Sequence, residues 1–376
     1  MFERRFGTQN KLGFAPMFIA WLCLFNGWGF SSDAQPAKKA SIMNGWCSLS
    51  FEKKSDHGKG DSVHEIITAE DISSIIRVLD SIDEGTLVLF DCDDVLTTAN
   101  IGVFTRNPSA TGVLRNDFGR IISRELPSAD KAKSLSMSQT VVGASPVSLV
   151  NRGMPRLVAE LQEKGIACLV ITAFPSTPAP GMSQPLEWRN TTLKSFDYDF
   201  PRSWPGMSYT SLEGGSVFDR GIIYSGAVSK DKSLAAFLAH VKKTPRRIIF
   251  IDDFLENIMN MQKYCKANNI DFTGIHYIEF MKAVNPIKPS IARSEFQMMV
   301  LIKHEVWLPD EILPEDKFCL DWFELCKKSI ELKNINCIEG VLSKVDKKVY
   351  GSQLIAFAKK TGSKDVIQCV TQWAKS

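Results

Sequence analysis

Between residues 86 and 278, short apolar runs alternate with segments of helical periodicity, which restricts the chain to a mostly parallel sheet with crossover helices. Thr86-Leu-Val-Leu-Phe90, Ala167-Cys-Leu-Val-Ile171 and Arg246-Arg-Ile-Ile-Phe-Ile251 are apolar throughout rather than alternating, as in strands buried on both faces. Gly221-Ile-Ile-Tyr224 and the run from Phe272 to Ile278 complete the expected strands. Between them, Pro155 opens a helix through Leu157, Val158 and Leu161 that ends at Gly165. Lys230 to Val241 puts Leu234, Phe237, Leu238 and Val241 on one side, and another helix runs through Ile258 and Met261. Upstream, Thr68-Ala-Glu-Asp71 reads as a capping box before Ile72, Ile75, Ile76 and Leu79, with Gly85 stopping that helix. The expected fold is α/β, a doubly wound parallel sheet.

Two stretches interrupt the alternation. Residues 99–150 are rich in Ser, Thr and Asn, and residues 175–220 in Pro, Gly and aromatics. Loops this long inside a compact domain are usually lids or small insertions, so both are expected to be helical caps over the sheet. Beyond residue 290 only helical patterns remain, as in Glu295 to Val306 and Asp316 to Leu332. The expected organisation is a leader over 1–34, a linker over 35–65, a core over 66–290 with its two insertions, and a helical extension over 291–376. Short paired helices from residue 316 onward would suit a small helical-repeat module.

The leader reading rests on Arg4, Arg5 and Lys11 ahead of the apolar Met17-Phe-Ile-Ala-Trp-Leu-Cys-Leu-Phe25, with Ser32 and Ala34 as the small residues of a cleavage site. That is the pattern of a secretory signal, and it implies an exported protein, periplasmic or secreted. The alternative is a membrane anchor over residues 13–30, but Gly13, Pro16, Asn26, Gly27 and Gly29 dilute it below the ~18–20 apolar residues of a spanning helix.

Composition narrows the classes further. Among 376 residues, 45 Lys and Arg stand against 42 Asp and Glu, a net charge of +3. This near balance is unlike a nucleic-acid binder with clustered basic residues, and no nucleic-acid partner is expected. A hydrophobic share of 44% can fill a core, so wholesale disorder is excluded. The nine Cys include no CxxC pair, and the five His (57, 64, 240, 276, 304) have no metal-site or triad spacing. Cys319, Cys326, Cys337 and Cys369 lie together in the tail and could pair in an oxidising compartment.

The chemistry concentrates at strand ends. Asp91-Cys-Asp93-Asp-Val-Leu-Thr97 follows directly on the first buried run. In extended backbone, side chains two apart share a face, so Asp91 and Asp93 are expected to point together beyond the strand's carboxyl end, where open α/β sheets bind ligands. Two close carboxylates repel, and their oxygens suit Mg²⁺ as a companion. A second acidic pair, Asp252-Asp253, ends another apolar run, with Asn257 one turn into the next helix. Capping of that helix accounts for one of these acids but not for a second pair at a second strand end. Thr172 ends the Leu169-Val-Ile-Thr172 run, where a turn or cap role is the ordinary one. Lys230 precedes a helix, where a lysine is ordinarily solvated.

In this order, these elements resemble the haloacid dehalogenase superfamily, specifically its phosphatase-like members. Asp91 to Thr97 is similar to the family's first motif and Val170-Ile-Thr172 to its second. Lys230-Asp-Lys-Ser-Leu234 is similar to the third, and Ile249-Phe-Ile-Asp252-Asp253 with Asn257 to the fourth. With Trp307-Leu-Pro-Asp310 included, the chain looks most like a little-characterised bacterial branch of exported or effector-like members. The resemblance implies a Mg²⁺-dependent phosphomonoester hydrolase. Asp91 would be the nucleophile forming an aspartyl-phosphate, and Asp93 the acid and then the base. Thr172 and Lys230 would contact the phosphoryl group. The metal would be held by Asp91, Asp93 through its backbone carbonyl, and Asp253, with Asp252 as the other choice. Val95 departs from the Thr usual in relatives, and Phe174 from an Arg or Asn. Lys232 competes with Lys230, which the leucines four and eight residues on, Leu234 and Leu238, place just outside the helix.

Trp188, Arg189, Tyr198, Phe200, Trp204 and Tyr209 could line a substrate pocket or fill a small core, and aromatics ordinarily do the second. Arg106, Arg115 and Arg189 could meet an anionic substrate, although arginines ordinarily lie on solvated faces. The partner expected is a small phosphorylated substrate, with a protein partner for the helical tail also open. The alternative function is a catalytically weak binding or secreted interaction protein on the same scaffold.

Overall fold

The architecture follows from where the apolar runs can hide their backbone and side chains. The computed structural model describes residues 63–104, 107–108, 114–115, 117–126, 131–282, 290–313 and 320–376. The expected leader, nearly all of the linker, Arg106, the Arg115 side chain and Cys319 lie outside the described residues.

The first strands are β1 (His64–Ala69), β2 (Thr86–Phe90), β3 (Thr97–Ala99), β4 (Asn107–Pro108), β5 (Leu114–Arg115) and β6 (Val147–Leu149). They are followed by β7 (Ala167–Thr172), β8 (Thr210–Ser211), β9 (Val217–Asp219), β10 (Ile222–Tyr224), β11 (Arg247–Asp252) and β12 (Asp271–Tyr277). The helices of the first half are α1 (Ile72–Leu79), α2 (Asp117–Glu125), α3 (Lys131–Gly143), α4 (Met154–Glu163) and α5 (Pro185–Ser195). Those of the second are α6 (Lys230–Val241), α7 (Leu255–Ala267), α8 (Ile291–His304), α9 (Trp322–Glu331), α10 (Ile335–Leu342), α11 (Lys347–Lys360) and α12 (Lys364–Lys375).

Eight strands form one sheet in the order β1-β12-β11-β2-β7-β10-β9-β8. The six from β1 to β10 run parallel, and β9 and β8 add an antiparallel edge. Every residue of β2 and β7 is buried, as their unbroken apolar runs require. Successive side chains of β2 serve opposite faces. Val88 and Phe90 join a core beneath α1, α4 and α5, while Leu87 and Leu89 join one beneath α6 and α7. From β2 the chain first builds β7 and β10 to one side, then crosses to β11 and β12 on the other. The boundary between β2 and β11 is therefore the topological switch point, where such sheets open a crevice at their carboxyl ends.

The structure departs from the sequence reading in three places. Residues 64–69 form a sheet strand instead of a linker and helix cap, with Thr68 paired to His276 on β12. Asp71 is the N-cap of α1, accepting the Ser74 amide at 3.0 Å. The 175–220 stretch is no separate cap, because β8 and β9 extend the main sheet while Tyr198, Phe200 and Trp204 fill its two cores. Gly221 makes that wrapping possible. It sits at φ +83°, and a Cβ there would lie 2.7 Å from the Phe200 carbonyl.

The third departure concerns the 99–150 insertion and the tail, which share one core. Ile101, Val103, Phe118, Ile121 and Val141 pack with Trp307, Leu308, Ile338, Val341, Leu354 and Val370. Asp310 ties the two parts together, accepting the Gly102 amide at 2.8 Å and the Gln297 side-chain amide at 3.1 Å. Cys326 and Cys337 are buried in this core, and together with Cys369 they are free thiols rather than a disulfide.

Candidate active site

The β2–β11 register places the two acidic strand ends side by side. Phe90 pairs with Ile251, and the Asp91 amide donates to the Ile251 carbonyl at 2.9 Å, carrying the ladder one residue further. Past Asp91 the backbone leaves extended geometry. The Cys92 carbonyl accepts the Leu96 and Thr97 amides, each at 3.0 Å, and Asp94 takes a left-handed φ of 62° that Asp tolerates better than most residues. This turn takes Asp93 out of strand alternation. Asp91 joins Asp252 and Asp253 in a buried group whose carboxylate oxygens lie within 4.8 Å of one another. The Asp93 carboxylate instead accepts from Arg189 at 2.9 Å.

Lys230 binds this group together. It is the first residue of α6, and its Nζ lies 2.7 Å from both Asp91 Oδ1 and Asp252 Oδ2. It is buried, while Lys232 on the same turn is exposed. Burial opposes the Lys230 charge, but Asp252 and Asp91 outweigh it and raise its pKa above the ordinary lysine value. Asp252 is fully engaged. Its Oδ1 accepts from the Phe254 amide at 2.8 Å and from Asn257 at 3.1 Å, which also steadies the start of α7.

Asp253 differs. Among the described residues no donor reaches its carboxylate, and Asp91 Oδ2 is likewise without one, because Cys92 N and Lys230 both use Oδ1. Burial, then the neighbouring acids, raise the Asp253 carboxyl well above the usual range. Burial also pushes Asp91 up to about 7, with Lys230 opposing and Asp252 adding to the rise. Three carboxylates face one ammonium here, leaving negative charge that only protons or a cation can match. The open oxygens of Asp91 and Asp253 are hard donors of the kind that hold a metal cation.

Thr172 ends β7 beside β2 and is fully buried. Its hydroxyl oxygen accepts the Phe174 amide at 3.1 Å, the ordinary turn use of a threonine at a strand end, and leaves the hydroxyl proton to donate. Among the aromatics proposed for a pocket, Tyr198, Phe200 and Trp204 are core, Trp188 stacks on Phe174 at 5.5 Å, and Tyr209 is exposed. Arg189 is wholly buried rather than solvated.

Sequence reasoning passed over two neighbours of the site. His276 pairs in register with Asp252, and its Nε2 lies 3.0 Å from the Asp253 carbonyl. Asp94 accepts from the Thr98 hydroxyl at 2.7 Å and adds to the charge that raises Asp253. Histidine spacing along the chain carries no sign of the first. Only the β11–β12 register reveals it.

No helix among the described residues is long and apolar enough to cross a membrane. The chain is 22% identical over 244 residues to a Chlamydia trachomatis protein named "Putative outer membrane protein", covering 63% of this chain and 85% of that one. It is 22% identical over 245 residues to a Rickettsia prowazekii protein named as uncharacterized, covering 64% and 86% of the two chains. A Chlamydia pneumoniae protein, also named "Putative outer membrane protein", is 28% identical over 122 residues, or 32% of this chain and 43% of that one. No solved structure matches. The sequence profile of DUF2608, "Protein of unknown function", matches residues 66–313, which take in the sheet from within β1 onward, the acidic centre and α8, and the chain belongs to that family.

Proposed function

We propose that the chain is a Mg²⁺-dependent phosphomonoester hydrolase that works through an aspartyl-phosphate on Asp91. One observation carries the reading: a buried lysine bridges two strand-end carboxylates while a third carboxylate beside them has no donor among the described residues. The resemblance to phosphatase-like haloacid dehalogenases supports the same assignment. Asp91 would attack phosphorus in line, and the leaving oxygen would take a proton from Asp93. Asp93 would then accept the proton of the water that releases phosphate. Lys230 holds Asp91 in place and offsets charge on the phosphoryl oxygens, and Thr172 would donate its hydroxyl proton to one of them. A Mg²⁺ held by Asp91, the Asp93 carbonyl and Asp253 would supply further neutralisation of the phosphoryl charge.

The test is hydrolysis of aryl and alkyl phosphates by the protein with Mg²⁺ and with EDTA. Mg²⁺-dependent turnover that Asp91→Asn abolishes is the expected result, and turnover undiminished in Asp91→Asn would refute the reading. An exported or envelope location is supported by the 1–34 leader reading and by the names of the chlamydial relatives. A second reading, a binding protein with weak or no catalysis, is favoured by α9–α12 lying beyond the family match. A partner captured through α9–α12, with no turnover of any ester, would decide for it.

A further inference from the structure

We propose that Arg189 is a positioning residue that aims Asp93 at the leaving group; the inference rests on the phosphohydrolase reading above. Arg189 projects from α5, in the stretch that extends the sheet. Its side chain is 0% exposed, and burying a guanidinium costs several kcal/mol of hydration unless partners restore it. Two aromatic faces provide part of that, with the guanidinium carbon 4.4 Å from the Phe174 ring centre and 5.0 Å from that of Trp188.

The two terminal nitrogens find partners in the motif carrying the nucleophile, while Nε has none among the described residues. One terminal nitrogen donates to Cys92 Sγ at 3.2 Å and the other to Asp93 Oδ2 at 2.9 Å. A purely structural pair would bury both ends. Here the Asp93 side chain remains 45% exposed, and among the described residues its Oδ1 has no donor. The planar fork therefore holds Oδ2 and leaves Oδ1 open, the oxygen that the proposed role would use. Lys230 pins Asp91 and Arg189 pins Asp93, so the two carboxylates around Cys92 are held from opposite faces of the turn.

The consequence depends on the ester. When the Asp91–phosphorus bond forms and the bond to the leaving oxygen breaks, an alkoxide needs a proton from Asp93, whereas an acidic aryl oxide departs as the anion. Misaiming Asp93 therefore penalises alkyl esters selectively in the first half-reaction.

The experiment compares kcat/KM for a primary alkyl phosphate and for p-nitrophenyl phosphate with the Mg²⁺-loaded full chain. This parameter reports the steps up to the first irreversible cleavage. Arg189→Met is expected to lower the alkyl-to-aryl ratio by at least about tenfold, part of what general acid catalysis supplies. Asp93→Asn should do the same, and the double variant should fall no further than Asp93→Asn alone. Arg189→Lys, which keeps charge and bulk but not the fork, should give an intermediate ratio, and it carries the test if Arg189→Met does not fold. Equal losses on both esters, or additive losses in the double variant, would overturn the positioning role and leave the hydrolase reading intact. A wild-type protein inactive on both esters would overturn the hydrolase reading itself, and this inference with it.

Discussion

Replacing Lys230 with Met leaves the volume of the buried side chain nearly unchanged and deletes its charge. In the native protein, Nζ is 2.7 Å from one oxygen each of Asp91 and Asp252. At an effective dielectric of about 20, each contact is worth roughly 6 kcal/mol of attraction. Repulsion between the two carboxylates and the hydration lost by all three groups offset most of that. Deleting one partner of a buried ion pair typically costs about 3–5 kcal/mol, because the remaining charge is stranded. Asp91 has a way out: burial already lifts its carboxyl to about 7, and loss of the opposing lysine lifts it further. An acid whose pKa is raised in the folded state contributes stability below its unfolded value near 4, and that contribution vanishes as pH climbs through the folded value. The Lys230→Met penalty should therefore approach about 3–5 kcal/mol near pH 8 and shrink markedly near pH 5. Urea unfolding in EDTA, followed by tryptophan fluorescence at both pH values, measures it. A loss under about 1 kcal/mol near pH 8, or equal losses at both, would refute the electrostatic reasoning.

Four further outcomes follow from the structure. Asp253→Asn should abolish the Mg²⁺-induced rise in Tm while leaving the metal-free protein as stable or more so near pH 8. Asp252→Asn should instead destabilise by ~2–4 kcal/mol, since Asp252 holds Lys230, Asn257 and the Phe254 amide; identical behaviour of the two variants in a melting titration would contradict this. Because Asp91 and Asp253 are both raised, metal-free stability should decline as pH rises from about 4 through about 7, and the Mg²⁺-induced gain should grow across that window. A gain that stays flat with pH in the same melting assay would count against a cation at these acids. Asp310→Ala strands the Gly102 amide and removes one partner each from Gln297 and from the Arg293 guanidinium 3.6 Å away, and should cost about 3–5 kcal/mol. Limited proteolysis should then cut the helical module first, and an unchanged cleavage pattern would dismiss that account.

Strand content was legible because parallel strands must be apolar on both faces, which makes β2, β7 and β11 visible as unbroken runs. The meeting of Asp91 with Asp252 and Asp253 was legible for the same reason, since both pairs close such runs. Lys230 could be preferred to Lys232 because helical periodicity fixes which lysine precedes the buried leucines, and only Lys230 is buried. What stayed hidden depends on partners remote in sequence. β1 is short and half polar, and only β12 makes it a strand. Arg189 read as a solvated arginine because nothing near it in the chain announces the Phe174 face or the Cys92–Asp93 turn. The shared helical core was hidden likewise, since the hydrophobic periodicity of α2 and α8 does not say against what each packs.

That shared core governs how the chain can be made. Residues 101–144 leave the ribosome about 150 residues ahead of 296–370, against which their apolar side chains close. Until then, Phe118, Ile121 and Val141 have no lasting shelter, and the nascent protein is sticky exactly where the finished one is dry. A stop codon just after residue 313 would leave the sheet and its acids complete, yet strip α9–α12 from the helices they cover. Such a shortened protein would need a chaperone, or a second chain, to stay in solution.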